Sequence, residues 1–143
     1  MSNFLTYVFL ILARRNTVEA QLNDDHKFLC EELTAIQDEI SEQEIAKKNA
    51  EKKFFLYILR DSTDAEEIKA AYDAYQVTLK NLARARRKEE AVTKQWRDKQ
   101  TEVNDYMKDS RYIRDGIKQI VEGEEGNEAD WLRTEYYEGT LQA

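Results

Sequence analysis

The chain has 143 residues and a mass of 16.9 kDa, with 36% charged and 41% hydrophobic side chains and a formal charge of −7. It has no proline, and its four glycines (Gly116, Gly123, Gly126 and Gly139) all lie beyond residue 115. Sheet folds need a turn roughly every ten residues, and turns draw on Gly, Pro and Asn, so sandwiches, barrels and alternating α/β domains are excluded and a long-helix protein remains.

The chain opens on a ten-residue apolar run, Phe4 to Ala13, followed by Arg14 and Arg15. As a helix this run reaches about 15 Å, half the thickness of a bilayer core. It lacks a basic leader and a small-residue cleavage site, so it reads as an apolar helix end that docks into something rather than a signal peptide. With one cysteine, a reducing cytoplasm is the default compartment, and no stable membrane insertion is expected.

Helix one is expected over about residues 4–60. Leu22, Leu29, Ile36, Ala50 and Tyr57, with Leu33, Ile40 and Phe54, form a heptad seam interrupted by His26, Gln43 and Lys47. A turn is expected at about 61–63. Thr63-x-x-Glu66 matches a capping box, and Asp64, Glu66 and Glu67 place negative charge in a first helical turn.

Helix two is expected over about 64–121. Ile68, Tyr75, Leu82, Trp96, Val103 and Ile117 share one seven-residue ladder, with Glu89 and Ser110 as its polar members. Taking Tyr72, Leu79 and Arg86, then Val92, Lys99, Tyr106, Ile113 and Ile120, as the companion ladder makes the spacing slip once between Arg86 and Val92. Such a slip is a stammer. Equal arms and a short turn predict an all-α fold: a long antiparallel two-helix coiled-coil hairpin with a flexible acidic C-terminal tail. Opposed residue numbers then sum to about 124, which sets Asp25 beside Lys99. Polar seam residues cluster in the middle, so the ends are expected to pack better.

The tail, 122–143, carries seven acids and one base, which leaves a body of net −1. It is read as flexible or a short helix, with Glu122–Gly126 as a flexible link. Trp131, Leu132, Tyr136 and Tyr137 form an aromatic patch suited to docking. A balanced body lacks the basic surplus that grips nucleic acid, so no nucleic-acid partner is expected.

Chemistry is sparse. His26 has no Glu-x-x-His companion, and Cys30 has no evident base, so each reads as a seam-side residue. No glycine-rich phosphate loop is possible before residue 116. A two-helix arrangement offers no water-poor concavity to tune carboxylates. No catalytic residue, metal site or cofactor is expected, and the chain does not read as an enzyme. The basic run Arg84-Ala85-Arg86-Arg87-Lys88 reads as a solvated face with i,i+4 pairs.

Two segments carry a resemblance. Leu10-Ile11-Leu12-Ala13-Arg14-Arg15 leading into a heptad helix, and Trp96-Arg97-Asp98-Lys99-Gln100 in the second arm, resemble the opening and the late tryptophan run of the type III secretion central-stalk family, the FliJ/YscO/SpaM-like group. The acidic tail resembles the glutamate-rich ends of its virulence members. The resemblance implies a cytoplasmic stalk, peripheral to the inner-membrane apparatus, whose joined terminal ends sit in a hexameric export ATPase and whose turn faces an export gate protein. It also implies the handling of secretion chaperones.

Carried onto this sequence, the ring-facing end is Phe4–Arg15 with Tyr106–Val121. The implied ring contacts are Phe4, Leu5, Val8, Phe9, Leu12, Arg14, Arg15, Tyr112 and Arg114. The gate-facing tip is about Phe54–Ile68, with Tyr57, Arg60, Asp61 and Asp64. The tail docking site is Trp131, Leu132, Tyr136 and Tyr137. Independently of the family, ten apolar residues cannot all face one partner helix, so the N-terminal run needs a further cover. The rival readings are a coiled-coil chaperone or assembly scaffold for a filament or phage subunit, and a membrane-surface coiled coil held by residues 4–13.

Overall fold

The computed structural model describes residues 3–61, 63–124 and 129–142, and the side chains of residues 3–61, 63–124 and 130–140. Three helices follow in chain order: α1 (Asn3–Leu59), α2 (Ala65–Gly123) and α3 (Ala129–Gln142). There is no strand among the described residues. α1 runs 57 residues and α2 runs 59, because neither contains a proline and the glycines of α2 come late. Ser62 of the expected turn and residues 125–128, which include part of the expected link, lie outside the described residues.

The chain divides into two compact units. A terminal unit comprises Met1–Lys27 and Asp98–Ala143, and a turn unit comprises Phe28–Arg97. In both, α1 packs against α2, and α2 partners fall in number as α1 partners rise. In the terminal unit Arg15 pairs with Ser110, and Asp25 Oδ2 lies 3.9 Å from Lys99 Nζ, at the register expected from the sequence. In the turn unit Trp96 Nε1 donates to Cys30 Sγ at 2.9 Å, Lys88 lies 3.9 Å from Glu39, and Arg86 donates to Glu44 at 3.3 Å.

The seam of α1 is longer than its apolar residues suggest. Every position on the alternating three- and four-residue ladder from Leu5 to Tyr57 is buried or half-buried, including Arg15, Glu19, Gln43 and Lys47. On α2 the ladder runs through small residues. Ala71 is 5% exposed and Ala85 is fully buried, whereas Tyr72 is 47% exposed. With Ala71, Thr78 and Ala85 as the companion positions, the three–four alternation through Val92 is unbroken, and the expected stammer is absent. Arg86 lies off the ladder and reaches outward to Glu44. The physical reason is that a methyl side chain lets two backbones approach, and the larger neighbour then covers the flank. Tyr72 does this by packing its ring 5.7 Å from that of Phe54.

The turn is shaped by two aspartates. Asp61 has φ 46°, the left-handed conformation that Asp tolerates better than most residues. The end of α1 tightens there, with Asp61 N donating to Ile58 O. The cap of α2 is Asp64, not Thr63. Its Oδ1 accepts from the backbone N–H groups of Glu66 and Glu67 at 3.1 and 3.3 Å. A carboxylate is the stronger acceptor, and its charge suits the positive end of the helix dipole.

Candidate interaction surfaces

The terminal unit holds the largest described core: Leu5, Val8, Leu12, Ile117, Val121 and Tyr136, with Phe4, Phe9, Ile113 and Leu132 packed against it. Leu5 and Val121 are completely buried. The cover that the N-terminal run requires is therefore supplied in part by α3. Tyr136 is 5% exposed, and its ring lies parallel to that of Phe9 at 6.5 Å. Gly139 meets the Phe9 ring face-on, and an added Cβ would overlap it. Arg133 fastens α3 to the end of α2, donating to the Glu122 and Glu124 carbonyls at 3.3 and 2.9 Å. It satisfies acceptors that a helix end leaves open. Tyr137 donates to Glu122 Oε1 at 2.6 Å, and this bond holds the phenol's pKa above its ordinary value.

A polar lock lies next to this core. Arg15 stacks its guanidinium 4.0 Å over the Tyr106 ring and donates to the fully buried Ser110 hydroxyl at 2.7 Å. Arg114 grips Glu19 at 3.0 and 3.3 Å and Asn16 at 2.7 Å. Burial pushes the Glu19 carboxyl up. The hydrogen bonds from Arg114 and Ser110 and the charges of Arg114 and Arg15 outweigh it, so the group sits below the usual carboxylate range. An open cleft of about 370 Å³ lies between this lock and α3, lined by Asn16, Arg114, Lys118 and Tyr137 among others.

The nine residues assigned to a ring contact divide. Leu5, Val8 and Leu12 face the chain's own core, Phe4 and Phe9 pack on it, and Arg15 and Arg114 are engaged across α1 and α2. Arg14 and Tyr112 face outward, the latter 81% exposed. The large apolar side chains left exposed on α1 here are Tyr7, Leu10 and Ile11, at 66%, 62% and 46%. With Arg14 they occupy one helix face at i, i+3, i+4 and i+7. The tail patch divides as well. Tyr136 and Leu132 turn inward, and Trp131 and Tyr137 stay 45% and 40% exposed.

At the turn, Arg60, Asp61 and Asp64 are exposed and Tyr57 is half-buried. The N-terminal run is not the only apolar run, because Phe54 to Leu59 form a second one. Phe54 and Tyr57 lie on the seam, whereas Phe55, Leu56, Ile58 and Leu59 are 56%, 46%, 51% and 63% exposed. Six consecutive apolar residues are a visible signal of this. They surround the whole helix, and one partner helix covers only one side. On α2 the seam holds one buried side chain near the turn, Ala71, and two toward the middle, Leu82 and Ala85, so among the described residues the turn end is not better packed than the middle, contrary to expectation.

Among the described residues, no group of His, Cys, Asp and Glu is placed to hold a metal ion, and no helix is long and apolar enough to cross a membrane. Comparison with protein-family models, curated proteins and solved structures gave no match.

Proposed function

We propose that this chain is a non-enzymatic interaction protein, an antiparallel coiled-coil hairpin that serves as the stalk of a type III export apparatus and engages a hexameric ATPase through its terminal unit. The observation that carries the interaction role is the uncovered face of Tyr7, Leu10, Ile11 and Arg14, which persists after α3 has seated. Clustered apolar side chains rimmed by charge suit a protein partner. The identity of that partner rests on the resemblance of residues 10–15 and 96–100 to the stalk family.

The test is ATP hydrolysis by a purified type III export ATPase, with and without purified protein. Stimulation saturating at about one chain per six subunits supports the stalk. The informative variant is Tyr7→Ser with Leu10→Ser and Ile11→Ser. Deleting residues 1–15 would remove Leu5, Val8 and Leu12 from the core and confuse binding with folding. Stimulation lost in the triple variant, with helicity unchanged, supports this face as the contact. Absence of stimulation and of co-elution rejects the stalk.

The seating of α3 favours a second reading, a chaperone or assembly scaffold, because three helices make a broader end than a two-helix stalk inserts. Its signature is one or two chains per client molecule.

A further inference from the structure

The turn unit's exposed apolar patch lies between two blocks of opposite charge. Residues 47–53 carry four basic side chains (Lys47, Lys48, Lys52 and Lys53) and one acid, Glu51, and a single base, Arg60, lies beyond the patch on the acidic side. Residues 61–67 carry four acids, Asp61, Asp64, Glu66 and Glu67, and no base. Lys48, Lys52, Phe55 and Leu59 share one face of α1 at i, i+4, i+7 and i+11, and all four are exposed.

We propose that this end of the turn unit is a self-complementary interface, and that a second copy of the chain docks on it about a two-fold axis near residue 57. Overlaid antiparallel about this axis, the Phe55–Leu59 segments of the two copies cover one another. The acidic turn of each copy then lies against the lysine segment of the other. The distances agree: Lys53 and Lys48 lie roughly 6 and 13 Å behind residue 57, and the acidic turn begins roughly 6 Å ahead of it. A parallel overlay would set lysine on lysine and acid on acid, so the charge pattern selects the two-fold arrangement. The same pattern disfavours an anionic lipid surface, because four carboxylates occupy the leading end. The inference does not rest on the stalk reading, since it uses residues of the turn unit alone.

Sedimentation equilibrium of the full chain tests it, with circular dichroism to verify folding. The expected mass is twice 16.9 kDa for the parent, falling to 16.9 kDa for Phe55→Ser with Leu59→Ser. These side chains are exposed, so helicity should hold. Lys48→Glu with Lys52→Glu, and Glu66→Lys with Glu67→Lys, should each be monomeric alone and should pair when mixed. A parent that is monomeric at every concentration overturns the proposal. So does a dimer that survives either the apolar or the lysine substitutions, since it uses another surface. Flotation of a monomeric parent with phosphatidylserine vesicles would assign the patch to lipid instead and overturn it as well.

Discussion

In the terminal unit Leu5 and Val121 have no solvent-exposed surface, whereas in the turn unit Phe55 and Leu59 are 56% and 63% exposed. The same two helices build both units, and both units contain an apolar run that one partner helix cannot cover. The terminal unit has α3 to place over its run. The turn unit has only α1, α2 and a short turn. What separates them is the number of helices around the seam, since each added neighbour covers one more side of a helix.

The largest effect should come from removing that neighbour. Truncation after residue 128 should lower hydrogen-exchange protection in 3–27 and 98–123 toward that of 28–97. Unchanged protection would show that α3 adds nothing to the terminal unit. Next comes Leu5→Ala, expected to cost about 2–5 kcal/mol in denaturant unfolding, as for a fully buried leucine. The half-buried Leu33→Ala should cost less than half of that, and equal costs would erase the contrast.

Gly139→Ala gives a contest of signs. Ala in a helix normally gains about 1 kcal/mol over Gly. Overlap with a Phe9 ring stacked on Tyr136 costs about 1–3 kcal/mol, so the net effect should be destabilising. Gly116, with nothing near its Cβ direction, should show the simple gain. In the turn unit, Asp61→Val should cost about 1–2 kcal/mol and Asp61→Gly little, because of the left-handed backbone.

The smallest effect is electrostatic. Glu19 has a folded pKa below its ordinary 4.5, so its contribution is present above that value and is lost as pH falls through the folded pKa. Acid titration of the parent against Glu19→Gln should show a difference of about 1 kcal/mol or less at neutral pH that shrinks as pH falls below 4.5 and vanishes below the folded pKa. A difference that persists in acid would mean Glu19 acts through packing.

Much of the fold was legible because helix breakers are missing and apolar residues recur at heptad spacing. The Asp25–Lys99 contact followed from arm length alone. The companion ladder of α2 is misread because Tyr72 and Leu79 present more apolar surface than Ala71 and Thr78, and carrying that register forward by seven sets Arg86 where the more apolar Ala85 belongs. Closeness of two backbones is a property of the pair, and no single helix displays it. The candidate site was less legible. The N-terminal run pointed to a missing cover, and the same argument applied to Phe54–Leu59 would have found the second patch. That the first cover is intramolecular depends on Tyr136 meeting Phe9 across 127 positions, for which the local sequence holds no signal.

By itself, the sequence determined that the chain is helical, where its helices break and which charges cluster. These follow from backbone freedom and local spacing, which act over a few residues. Only the tertiary structure decided which face of each helix is buried, that Arg15 and Glu19 belong to the seam, and that α3 closes the terminal unit while the turn unit stays open. Those outcomes depend on which surfaces meet, and burial is a property of both partners.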